Sequence, residues 1–149
     1  MSTPLRRVLL GTPQPVTPRL LWPLVGLTAL AVSAVGYASG LVTVSGGVVW
    51  LPAFAAWIGA LGAAVVGYCR GGALAGWAVT AAALVGHHVS RAVSVDSLGE
   101  RVAFLFRPDA LGWYAAMALL VGVGPFVLGS ALRWGADALR GAPGHTARE

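Results

Sequence analysis

Charged residues divide the chain into long apolar runs. No Asp, Glu, Lys, Arg or His occurs in the 50 residues from Leu20 to Cys69. Residues 71–90 are interrupted only by His87 and His88, and residues 110–132 give a further run of 23. A helix rises 1.5 Å per residue and needs about 20 apolar residues to cross a hydrocarbon core of ~30 Å. The first run is long enough for two spans and each of the others for one. The pattern predicts an all-α integral membrane protein with four transmembrane helices, near 20–38, 48–69, 72–90 and 110–132. The turn inside the first run is expected between Ala38-Ser39-Gly40 and Ser45-Gly46-Gly47, where helix-breaking residues concentrate. A β-barrel would alternate apolar and polar positions over segments of about ten residues. Ala60-Leu61-Gly62-Ala63-Ala64-Val65-Val66 is apolar on every face and excludes it.

The segment between the third and fourth runs has a pattern of its own. Ser97-Leu98-Gly99-Glu100 matches the S-x-x-E capping box, in which each side chain satisfies a backbone donor of a new helix. Leu98, Val102, Leu105 and Phe106 then recur at helical spacing. These residues predict a short interfacial helix ended by Arg107-Pro108-Asp109, with Asp109 capping the fourth span. Beyond that span, Arg133, Asp137 and Arg140 are spaced to pair along one face, so the last helix is expected to continue to about Arg140. The resulting organisation is an N-terminal Pro-rich segment (1–19), a four-helix transmembrane domain (20–140) and a short tail (141–149). Arg6-Arg7 before Val8-Leu9-Leu10 raises an export signal, but Thr12 to Pro18 separates the pair from the apolar run. That run also far exceeds the 7–15 residues of a signal core. An uncleaved first helix with an extended, proline-stiffened lead-in is the expectation.

Composition agrees with this organisation. The chain is 57% hydrophobic and only 10% charged, with 21 glycines and one cysteine, against about 25% charged residues in an ordinary soluble domain. Disorder, collagen and disulfide scaffolds are excluded on the same figures. All ten basic residues are arginines. With the N-terminus inside, Arg6, Arg7, Arg19, Arg70, Arg133, Arg140 and Arg148 fall on the cytoplasmic side. Arg91, Arg101 and Arg107 fall outside, beside Asp96, Glu100 and Asp109. That split predicts a multi-pass cell-membrane protein with both termini cytoplasmic. Trp22, Trp77 and Trp134 near inner ends, and Trp50 and Trp113 near outer ends, suit the depths indole rings prefer. A net charge of +5 spread over termini and loops, without aromatic interleaving, points to anionic lipid heads rather than nucleic acid.

Candidate chemistry is sparse. His87 and His88 are the only concentrated titratable feature inside a predicted span. Adjacent helical positions point ~100° apart, so the two imidazoles cannot readily grip one ion, and no other span offers a ligand at that depth. The expectation is histidines settled near the headgroups at a helix C-terminus, with no metal and no cofactor. Cys69 has no C-x-x-C partner and is expected to be a small packing residue. No serine has a helix-borne His or Asp partner, and there is no H-E-x-x-H, intramembrane aspartate pair or P-loop. No catalytic, cofactor-binding or metal residue is assigned, and the chain is not expected to be an enzyme. Small residues do recur at fourfold spacing: Gly59, Ala63 and Gly67; Ala78, Ala82 and Gly86; Gly36 and Gly40; Ala118 and Gly122. Such rows let helices approach closely in lipid. They favour an accessory or scaffold subunit that acts by helix–helix association, in a homo-oligomer or with another membrane protein. The competing readings are a protomer of an oligomeric transporter or channel and a cofactor-binding redox subunit. Pro125 is expected to kink the fourth span.

Overall fold

The computed structural model describes residues 3–11, 20–42 and 52–141, and every regular element among them is an α-helix. The helices are α1 (Thr3–Leu10), α2 (Leu21–Ala38), α3 (Ala53–Tyr68), α4 (Ala73–Ala92), α5 (Leu98–Leu105) and α6 (Pro108–Gly141). The proline run, the Ser45-Gly46-Gly47 turn, Trp50, Arg19 and the tail from residue 142 lie outside the described residues.

Local chemistry accounts for the boundaries. Pro23 sits in the first turn of α2, where a missing N–H costs nothing. Gly40 closes that helix with φ 70°. α5 begins at the predicted cap, with one half of the box formed: the Ser97 hydroxyl accepts from the Glu100 N–H at 3.2 Å, and the Glu100 carboxylate does not return a bond to the Ser97 N–H. Asp109 does not cap α6. Pro108 already occupies the first helical position, and Asp109 pairs instead with Arg107 at 2.7 Å. α6 runs unbroken through Pro125. Ahead of the proline run, residues 3–10 form α1, a helix that the sequence pattern did not predict. Gly11 (φ 79°) then bridges back to Gly71, the single antiparallel bridge among the described residues. A Cβ at Gly72 would overlap the carbonyl of Leu9, so this docking requires glycine there.

α4 is the hub of the bundle, packing on α2, α3 and α6, whereas α2 and α6 do not meet. α2 runs in the same direction as α4: Gly26 lies beside Ala82, Gly86 against Leu30 and Ser33, and Tyr37 against His87. α3 and α6 likewise run together, with Gly67 against Phe126 and Arg70 against Asp137. One small core joins Ala29, Val66, Val79 and Ala83, and a second joins Ala55, Ala56, Leu84 and Ala118. Most of these residues are small, so the helices pack backbone to backbone. Trp77 turns its indole into the bundle, where Nε1 donates to the Ala115 carbonyl at 2.9 Å.

By length and hydropathy, two helices qualify as membrane spans: Leu21–Ala38 and Pro108–Arg140. The four-span expectation is met only in part, for identifiable reasons. α3 has 16 described helical residues, and His87 and His88 lower the mean hydropathy of α4.

Candidate functional site

Two polar groupings stand out, one at each end of the bundle. The first gathers around the C-terminal end of α4. His87 and His88 point to different sides of the helix, as their adjacency predicts. The His87 ring lies 4.5 Å from that of Tyr37 on α2. His88 stacks on Phe104 of α5 at 4.5 Å, and its Nε2 lies 3.0 Å from the Phe104 carbonyl. Both histidines are buried within the bundle end, because α2 covers one and α5 with α6 the other. The Ser33 hydroxyl and His87 Nδ1 are buried without a hydrogen-bond partner. No group of three or more metal-ligating side chains occurs among the described residues.

The second grouping lies at the end that carries α1. α3 closes in a Schellman turn, with the Gly71 N–H donating to the Val66 carbonyl at 2.8 Å and the Arg70 N–H to Gly67 at 3.1 Å. Arg70 occupies the left-handed position of that turn, φ 57°, which normally falls to glycine. An L-residue there costs about 1–2 kcal/mol. The guanidinium so placed reaches Asp137 on α6 at 2.6 Å. Arg133, one turn earlier, reaches the same carboxylate at 3.2 Å and lies over the Tyr68 ring. Cys69, expected to pack inside, is exposed at the helix cap.

The hydrogen bond from Arg70, reinforced by Arg133, holds the Asp137 carboxyl below the usual carboxylate range. Between the two values the unfolded chain binds the extra proton, so stability rises with pH across that window. The link should therefore be fully present above about pH 4 and be lost as pH falls through the lowered value. Thermal unfolding across that range should show Asp137→Asn less stable than wild type near neutrality. The two chains should converge only at acid extremes. A constant difference at every pH would dissociate the carboxylate charge from the link.

Beside this clamp lies a cavity of about 480 Å³. Val8 of α1 and Phe126, Val127, Ala131 and Trp134 of α6 supply apolar walls, and Arg70 and Arg133 supply the polar edge. The described charges at this end are Arg6, Arg70, Arg133 and Arg140 against Asp137. At the other end Arg91, Arg101 and Arg107 face Asp96, Glu100 and Asp109. The arginines were legible in the sequence as topology markers. Their convergence on one carboxylate was not, although the Arg133–Asp137 spacing supplied half of it.

Compared with known proteins, the chain matches no family model, no curated protein and no solved structure.

Proposed function

We propose that this chain is a four-span membrane protein with both termini cytoplasmic, acting without catalysis by helix–helix association as an accessory or scaffold subunit. The outward surface supports the membrane reading. Only 11% of the α2 window and 17% of the α6 window are buried, so these apolar helices are not the covered core of a soluble fold. Leu24, Leu27, Trp57, Leu61, Leu120 and Leu128 all face outward. On α5 the expected apolar face, Leu98, Val102 and Phe106, is likewise exposed, which suits a helix lying in an interface. α3 and α4 reach across by joining their apolar cores to those of α2 and α6, and α4 hides its polar side chains centrally. The excess of arginine at one end supports the orientation. In this reading residues 110–132 of α6 cross the bilayer, and the turns carrying Arg133 and Asp137 extend beyond it.

The association reading is carried by α6. The small-residue row on α3 is consumed within the chain, since Gly59, Ala63 and Gly67 are buried, whereas on α4 Gly86 is buried, Ala82 half-buried and Ala78 exposed. On α6, Ala116, Leu120 and Gly124 form an outward row, and nothing lies within 4 Å of a Cβ built on Gly124. Glycine costs a helix up to about 1 kcal/mol relative to alanine. An exposed glycine in a span suits a site where another helix approaches.

The test uses a chain in which Cys69 is replaced by serine. Ser97→Cys should react with an impermeant thiol reagent in intact cells, and labelling only after lysis would reverse the orientation. Gly124→Cys should cross-link in native membranes to a second copy or to a distinct membrane protein, while Leu61→Cys on α3 should not. Equal cross-linking at both positions, or none at either, removes the association role of α6.

A further inference from the structure

We propose that the cavity beside the Arg70–Asp137–Arg133 clamp binds an anionic phospholipid, its acyl chain between α1 and α6 and its phosphate at the two guanidiniums. The inference rests on the membrane reading above. Three observations carry it.

The first is shape and polarity. The volume of about 480 Å³ falls within the range of small-ligand sites, about 300–1,000 Å³. Its walls are apolar and its charged edge lies to one side, which is the division found in an amphiphile. Val127 and Trp134 on its α6 wall are 58% and 77% exposed, so the cavity reaches the outer surface of the bundle, where lipid could enter. With residues 110–132 crossing the bilayer, Trp134 would fall at the depth where an indole meets headgroups.

The second is unused donor capacity. A guanidinium carries five N–H donors. Arg70 donates one hydrogen bond to Asp137, and so does Arg133. Asp137 balances one of the two charges and fixes both side chains, leaving a net positive edge with donors to spare. A phosphate accepts from arginine with two parallel bonds, which a zwitterionic headgroup would partly offset with its own ammonium.

The third is the backbone of Arg70. A Schellman turn ending Arg70-Gly71-Gly72 could have placed glycine at the left-handed position without strain. The chain carries arginine there instead, and the guanidinium lands at the cavity edge. α1 completes the enclosure with Val8 and brings Arg6 to the same end.

The experiment uses the full chain, purified and stripped of lipid in mild detergent. It is titrated with short-chain phosphatidylglycerol, with phosphatidylcholine of the same chains, and with inorganic phosphate, and read by native mass spectrometry and thermal shift. Wild type should bind phosphatidylglycerol roughly tenfold more tightly than phosphatidylcholine, and inorganic phosphate should give no comparable stabilisation. Arg133→Gln should lose about fivefold of that preference, and Arg70→Gln with Arg133→Gln should abolish it. Arg140→Gln, exposed at the same end but outside the cavity, should keep it.

Equal binding of the two lipids overturns the proposal. So does equal loss in Arg133→Gln and Arg140→Gln, which would mark diffuse surface charge, or stabilisation by inorganic phosphate alone, which would mark a free-oxyanion site. Carbonate extraction of native membranes separates this failure from that of the parent reading. A chain released into the supernatant is not a four-span protein. One that stays in the membrane yet shows no headgroup preference refutes only the lipid site.

Discussion

Leucine at Gly129 is expected to separate α3 from α6 and cost more than about 3 kcal/mol, with leucine at Gly67 close behind. The reason lies in what each glycine meets. A Cβ at Gly129 would overlap the carbonyl of Ala64, and one at Gly67 the carbonyl of Phe126. Both obstacles are helix backbone, so no rotamer change can make room. Overpacking that displaces side chains costs about 1–3 kcal/mol, but here one helix must move away from the other along its length. Such movement also pulls Arg70 from Asp137 and opens the lipid cavity. Gly112→Leu is the control, because nothing lies within 4 Å of a Cβ at Gly112 on the same helix. Circular dichroism melts and gel filtration in mild detergent should show Gly129→Leu and Gly67→Leu melting far below wild type, and Gly112→Leu near it. If all three melt together, α3 and α6 are not packed as described.

Part of this architecture is legible in the sequence. Charge-free runs located the apolar cores of α2, α3, α4 and α6 to within a few residues, because burial and lipid both demand a continuous apolar face. The N-cap at Ser97 was equally legible, since its chemistry is local. The row Gly59, Ala63 and Gly67 was correctly seen as a close-packing surface, and the structure assigns it to contacts within the chain, chiefly Thr80 of α4 and Phe126 of α6. Gly129, which meets the neighbouring Ala64 instead of this row, was not singled out. In a chain with 21 glycines, spacing alone does not say which glycine faces another helix.

What escaped the sequence shares a single cause. α1 depends on docking to Gly71 and Gly72, which lie some sixty residues away. The histidines are buried by α2 and α5 rather than by their own helix. The left-handed Arg70 is visible only once the Schellman turn and Asp137 are in place. Each depends on tertiary partners, and no local pattern encodes them. The clamp and its cavity were accordingly absent from any reading of motifs, although every arginine in them was already counted as a topology marker.

Thr80 should prove the most sensitive polar position in the bundle, through size more than through its hydrogen bond. It is fully buried, and its hydroxyl lies 3.0 Å from the Gly76 carbonyl on its own helix and 3.1 Å from Gly59 on α3. One hydroxyl hydrogen serves two acceptors, so the bond across helices is shared, and such bonds in membrane proteins contribute about 0.6–2 kcal/mol. Thr80→Val, which keeps the shape, should lose no more than that. The steric role is larger. A Cβ at Gly59 would stand 2.9 Å from the Thr80 methyl, and one at Gly122 on α6 would stand 2.8 Å from its hydroxyl oxygen. α3, α4 and α6 therefore meet at one side chain, with a glycine facing it from either side. Thr80→Leu should cost upwards of about 3 kcal/mol, because neither glycine can yield. Gly122→Ala alone should destabilise through its contact with Thr80. Combined with Thr80→Ala, which removes the obstructing atoms, it should cost clearly less than the two single changes added together. That departure from additivity, measured as a double-mutant cycle on melts in detergent, is the decisive quantity. Strict additivity would mean that Thr80 and Gly122 do not touch, and the three-helix junction would have to be redrawn.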